Sequence, residues 1–331
     1  MTKVKKITQA DKFNSKSKPK IGLALGGGTV RGLAFIGILK VLEEEGIKVD
    51  YLAGTSAGAV IAAAYASGNS VPDLERLAHS TKWHNLLDFT KPKKGFIEGK
   101  KIEKYLNHIF KGKTFEQLDV PLTIVATEVD YGTKALFCTG SVTKAVRASI
   151  SLPAIFKPYR IGNKEYMDGS LIDPVPVDIL KEMGADVIIA VDLTVDIAES
   201  YVGSYKSSNF VEKLKQRFID HQIKFIHDYV EKTTDSYLIK SLIRGFNLKN
   251  AFLTGIGKKL PRIMEIYLQA TEVLMNELTK EKLRNPAIDI LLIPKFEGVN
   301  WVELDKIGHI ISAGEYAARK EIGKIKKMLK K

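Results

Sequence analysis

Val49-Asp50-Tyr51-Leu52-Ala53-Gly54-Thr55-Ser56-Ala57-Gly58-Ala59-Val60-Ile61-Ala62-Ala63-Ala64-Tyr65-Ala66 is the stretch whose reading decides the fold. Apolar side chains from Val49 to Ala53 predict a strand, and the alanine-rich run from Ala57 to Ala66, ending near Gly68, predicts a buried helix. Gly54-Thr55-Ser56-Ala57-Gly58 joins the two as a sharp turn. The same order stands upstream. A strand Ile21–Leu25 runs into Gly26-Gly27-Gly28, and a helix from Arg31 to Glu45 closes at Gly46, a residue suited to the left-handed position after a helix. Between Leu33 and Leu42 that helix is apolar except at Gly37 and Lys40, so most of its sides are expected to be buried. Strand, loop, helix, strand, turn, helix is the reading frame of a parallel sheet covered by helices.

Working outward, Leu122 to Ala126 and Val187 to Val191 have the uninterrupted apolar character of buried parallel strands. Ser141 to Ser149 reads as a short helix, and Lys164 to Met167 as a short strand leading into Asp168-Gly169-Ser170. Residues 200–285 carry no strand signal and read as mainly helical, with breaks at Gly245 and at Thr254 to Gly257. A last strand, Ile288 to Ile293, precedes a C-terminal helix. The chain therefore divides into a basic disordered tail (1–20), a parallel-sheet domain (21–200) and a mainly helical region (201–331) with one further strand and a basic amphipathic end.

Net charge is +13, a value that invites a nucleic-acid reading until it is placed. Residues 1–20 and residues 319–331 each carry +6, leaving +1 for everything between. Nucleic-acid binding then loses its only support. Basic ends have two readings, as solvated tails or as attachments to anionic membrane surfaces. Ile322, Ile325 and Leu329 form a helical stripe among the C-terminal lysines, which suits either a membrane interface or the core. The single cysteine, Cys138, fits a reducing, cytoplasmic setting, and its apolar neighbours Ala135-Leu136-Phe137 place it as a small buried hydrophobe. The basic start lacks the apolar stretch of a secretory signal, and no run of about 18 apolar residues offers a membrane span.

Ser56 stands in a G-x-S-x-G pentapeptide between a strand and a helix, the context that lifts a serine hydroxyl clear of its surroundings. Gly54 and Gly58 are expected where neighbouring backbone leaves no room for a Cβ. Gly26-Gly27-Gly28 opens a helix, where unpaired N–H groups favour an anion. A dinucleotide loop fails because Arg31 stands where its last glycine belongs, and a phosphate-binding P-loop fails for want of G-K-[ST]. An oxyanion hole built from these amides and the N–H of Ala57 fits better. None of His79, His84, His108, His221, His227 and His309 sits in a strand-end loop suited to serve as base, and too little chain precedes Ser56 for an α/β-hydrolase. Asp168, before the turn-permitting Gly169, is an alternative base, although an Asp-Gly turn taken alone more often marks a hairpin or loop. No Cys/His cluster or nucleotide loop asks for a metal or organic cofactor.

Taken together, G-G-G-x-x-R-G at 26–32, G-T-S-A-G at 54–58 and D-G-S at 168–170 resemble the patatin-like phospholipase family. Arg147-Ala148-Ser149-Ile150-Ser151-Leu152-Pro153 through Phe156-Lys157-Pro158 is similar to a further segment of that family, as are 168–177 and 184–193 to its bacterial members. The resemblance implies a three-layer α/β/α fold with a mainly parallel sheet and hydrolysis of phospholipid, lysophospholipid or other acyl-ester lipids. It makes Ser56 the nucleophile, Asp168 its partner, and Gly26–Gly28 with Arg31 the oxyanion region. Ser170 departs from the usual Gly or Ala and places a hydroxyl beside the base. The rival reading is a non-catalytic lipid-binding protein that keeps the fold at a membrane surface.

Overall fold

The computed structural model of the protein describes residues 18–88, 90, 94–194, 262–296 and 306–330. Residues 1–17 of the expected N-terminal tail and residues 200–261 of the expected helical stretch fall outside the described residues.

Five parallel strands make the centre of the sheet: β1 (Ile21–Leu25), β2 (Tyr51–Thr55), β3 (Leu122–Glu128), β7 (Val187–Val191) and β8 (Ile290–Leu292), in the order β3-β2-β1-β7-β8. Beyond β3 the pairing turns antiparallel, through β4 (Lys134–Phe137), β5 (Tyr159–Ile161) and β6 (Lys164–Asp168). Leu23, Leu25, Leu52 and Ile189 face one layer of helices, while Ala24, Ala53, Ile188 and Ala190 face the other. Period-two alternation with both faces apolar is why these strands read as continuous hydrophobic runs. The layers make a three-layer α/β/α sandwich with a mainly parallel sheet.

Helix α1 (Ala34–Glu44) is buried along nearly its whole length and lies beneath the C-terminal helix. On the same side are α2 (Ala57–Ala66), α3 (Val71–Ser80), α4 (Lys100–Ile109) and α5 (Val142–Ser149). The opposite face is covered by α6 (Val177–Glu182), held close by the small side chains Ala24, Ala53 and Ala190. A long helix α7 (Arg262–Lys282) follows the undescribed segment, and α8 (Ile307–Met328) ends the described chain. The apolar stripe of α8 settles against the core: Ile307, Ile310, Ile311, Ala318 and Ile325 are buried, and Ile322 and Leu329 pack beside them. Of the two readings of that stripe, core packing is the one realised.

Two expectations are corrected. Cys138 is exposed, because β4 is a half-buried strip hydrogen-bonded to β3 alone and the cysteine lies just beyond its end. Its apolar neighbours alternate in exposure along the strand instead of sharing a core. The helix expected from Arg31 begins as a tight 3-10 turn, Thr29–Leu33, and becomes α-helical only at Ala34. Among the described residues no helix is long and apolar enough to cross a membrane.

Candidate active site

The carboxyl ends of β1 and β2 lie side by side, the edge of a parallel sheet where ligands characteristically bind. Gly26–Gly28 leaves β1 there and Ser56 leaves β2. Ser56 sits at φ 53°, ψ −121°, a strained backbone for a residue with a side chain, and initiates α2 directly. Such a conformation persists only when the surroundings impose it, and they do so from both sides. A Cβ on Gly58 would lie 2.0 Å from the Leu25 carbonyl oxygen, and one on Gly54 would lie 2.7 Å from the Ala59 Cα. The Ser56 N–H donates to the Ser149 Oγ at 2.8 Å, tying the turn to the end of α5.

Asp168 arrives from the antiparallel side, as the last residue of β6 paired with Ala126 of β3. Its main chain is fixed by its own N–H to the Ser151 carbonyl (3.0 Å) and by the Thr127 hydroxyl donating to its carbonyl (2.9 Å). Gly169 follows because a Cβ there would stand 2.4 Å from the Val125 carbonyl oxygen. The carboxylate is buried, at 3% exposure, and accepts the Ser56 hydroxyl at 2.7 Å and the Ser170 N–H at 2.8 Å. Burial pushes its pKa up to about 6, against the lowering effect of the Ser56 and Ser170 hydrogen bonds. Residues 112 positions apart in sequence thus form a hydroxyl–carboxylate pair tuned toward neutral pH.

The glycine loop is divided in its use. The Gly27 N–H is turned inward to the Pro174 carbonyl at 2.9 Å, and the Gly26 carbonyl accepts the Gly58 N–H, so those two glycines brace the loop against its neighbours. The Gly28 N–H makes no hydrogen bond among the described residues. Ala57, as the first residue of α2, has no carbonyl within its helix to receive its N–H. A Cβ at Gly27 would come within 2.1 Å of the Ser170 hydroxyl and 3.6 Å of the Ser56 Cβ, which measures how tightly the loop is pressed onto the pair. Arg31, expected with the oxyanion groups, is buried with its guanidinium 3.9 Å from Glu272 on α7.

Ser56, Asp168, Gly28 and Arg31 open onto one cavity of about 360 Å³. Its walls are largely apolar, with Ile61, Ile97, Leu106, Ile150 and Phe156 on one side and Met275 of α7 among those on the other. An apolar cavity with a few convergent polar groups is the usual form of a small-molecule site. No histidine lines it among the described residues; His79, His108 and His309 are exposed elsewhere. His221 and His227, and the side chain of His84, lie outside the described residues. Among the described residues no group of three or more His, Cys, Asp or Glu side chains is placed to hold a metal. Sequence reasoning assigned no role to Ser149, although it lies in a quoted segment, and it passed over Glu272 and Asn276. The last two come from a helix whose inward face is set only by tertiary packing.

Fold and site together define a three-layer α/β/α protein with a serine–carboxylate pair at the carboxyl ends of its parallel strands. Residues 23–181 match the model of the patatin-like phospholipase family, so the chain carries that domain. It is 34% identical over 188 residues to an uncharacterized NTE family protein of Mycobacterium tuberculosis, a match covering 55% of this chain and 51% of that one. Lysophospholipase nte1 of Aspergillus fumigatus is 34% identical over 179 residues, 52% of this chain and 12% of the relative. The chain thus spans about half the length of the first of these relatives and far less of the second. Among solved structures, VipD from Legionella pneumophila shares the fold, with a TM-score of 0.53 at 14% identity over 95% of this chain and 67% of that one.

Proposed function

We propose that this protein is a serine acyl hydrolase acting on lipid esters, a phospholipase or lysophospholipase, with Ser56 as nucleophile and Asp168 as base. One observation carries the reading: the Ser56 hydroxyl is 2.7 Å from a buried carboxylate whose pKa is raised to about 6. A carboxylate of ordinary acidity takes a serine proton poorly, and burial narrows the gap. Asp168 accepts the proton as Ser56 Oγ attacks the ester carbonyl, and the tetrahedral oxyanion faces the N–H groups of Gly28 and Ala57. Collapse expels the alcohol, which takes the proton back from Asp168 and leaves acyl-serine. Water, deprotonated by the same carboxylate, then attacks the acyl-serine, and Ser56 Oγ takes that proton from Asp168 as the fatty acid is released. The apolar cavity supports an acyl chain, and the name of the Aspergillus relative supports a lysophospholipid among the substrates. A cytoplasmic enzyme held loosely on an anionic membrane face by its basic ends completes the reading. Its supports are the single cysteine and the concentration of charge at the two ends.

The test is labelling by a fluorophosphonate together with ester turnover. Wild type should be labelled, and Ser56→Ala should be neither labelled nor active. Asp168→Asn should lose about 10³-fold or more in kcat while staying folded. A His→Ala variant as inactive as Ser56→Ala would replace the pair with a triad.

A further inference from the structure

The largely apolar cavity holds two groups of largely buried polar side chains among the described residues, the Ser56–Asp168 pair with Ser170 and a cluster between the 3-10 turn before α1 and α7. Arg31 and Asn276 line the cavity at this second place, only 5% and 7% exposed. Neither the Arg31 Nε nor the Asn276 Nδ2 has a hydrogen-bond partner among the described residues. Their neighbours differ: Thr279 and Thr271, also on the cavity side of α7, donate to the carbonyls of Met275 and Tyr267 one turn back. Buried donors left over after such local options are used are rare and costly. Both of these are N–H groups, so the missing partner is an oxygen acceptor. Glu272, one turn before Asn276 and 3.9 Å from the guanidinium, balances the arginine charge, so the partner need not be an anion.

We propose that Arg31 and Asn276 form a head-group subsite that binds the oxygens of the alcohol portion of the ester, whether phosphodiester oxygens or glycerol hydroxyls. This rests on the hydrolase reading for its biological sense but not for its test. The acyl chain occupies the apolar wall, the ester carbonyl meets Ser56, and the oxygenated head turns toward α7. That helix lies outside the segment matched by the family model.

Direct binding tests the subsite without turnover, using full-length protein and three non-hydrolysable amphiphiles with one chain length, each below its micelle concentration. Dodecylphosphocholine offers phosphodiester oxygens, 1-O-dodecylglycerol offers hydroxyls, and dodecyltrimethylammonium offers neither. Asn276→Leu and Asn276→Asp should weaken at least one oxygen-bearing probe about tenfold or more, the loss expected when a buried donor–acceptor contact is removed. The ammonium probe should bind each variant within twofold of wild type. Loss on the phosphocholine alone assigns the subsite to phosphate, and loss on the glycerol ether alone assigns it to hydroxyls. Equal loss on all three probes, or none on any, overturns the proposal. A protein that shows the pattern yet hydrolyses no ester would keep the subsite and remove the hydrolase reading.

Discussion

In the proposed mechanism Asp168 is where catalysis and stability pull against each other. Its native carboxyl holds a proton up to about pH 6, whereas the unfolded chain releases it near the ordinary value of 3.8. Between those values the native state binds more protons, so its stability is highest below the window, falls through it and is level above. The loss by neutral pH is on the order of 3 kcal/mol. An asparagine keeps both hydrogen bonds, accepting the Ser170 N–H and donating to Ser56, without a charge to bury. Asp168→Asn should therefore be more stable than wild type in urea at pH 7, by an amount that shrinks toward pH 4. A constant difference across that range would return the Asp168 pKa to ordinary. In the same window wild-type kcat/KM should rise as one proton is lost near pH 6. The partnership of Ser56 with Asp168 was legible in sequence only through the family resemblance, because an Asp-Gly turn by itself says nothing of a serine 112 positions away. Asn276 was not legible at all: a lone asparagine in a helix reads as a solvated residue until the opposite wall of the cavity is known.

At the scale of elements, α1 and α8 cross where each has a glycine. A Cβ on Gly37 would stand 2.0 Å from the Ile311 carbonyl oxygen, and one on Gly314 would stand 1.9 Å from the Ala34 carbonyl oxygen. Backbone meets backbone, so no side-chain rotation can relieve the clash. Gly37→Ala and Gly314→Ala should each cost about 1–3 kcal/mol by forcing the helices apart, despite alanine's better helix propensity. Gly323, on the same helix as Gly314, is the internal control, because a methyl added there would meet nothing within 4 Å. Gly323→Ala should be neutral or stabilising by up to about 1 kcal/mol. Urea unfolding of the three variants separates the outcomes, and equal effects would remove the packing argument. In sequence Gly37 was visible only as an interruption of an apolar run, since its purpose depends on a helix at the far end of the chain. The parallel strands were legible because burial on both faces writes itself into an unbroken apolar run. β4 and β5 were missed because short, half-exposed strands carry no such mark, and Cys138 was misplaced for the same reason.

For the whole molecule the question is what the charge at the two ends does once its local partners are subtracted. Arg319 and Lys326 pair with Glu44 and Glu45 at the end of α1, so part of the C-terminal charge is bound up in docking α8. Lys320, Lys327 and Lys330 are exposed and form no ion pair among the described residues. Residues 1–17 add five lysines against one aspartate. The cut must stop there, because the Lys20 main chain joins Asp186 through its N–H and accepts the N–H of Asp186 in return. Each lysine near an anionic bilayer contributes up to about 1 kcal/mol, an attraction that salt screens over roughly 10 Å. Deleting residues 1–17, or changing Lys320, Lys327 and Lys330 to glutamine, should each weaken binding to phosphatidylserine vesicles at least tenfold in low salt. The two changes together should flatten the salt dependence. Turnover of a soluble short-chain ester should stay within twofold of wild type, since Lys320, Lys327 and Lys330 do not line the cavity. Vesicle binding that is equal for all variants across the salt series would reduce the ends to solubilising segments.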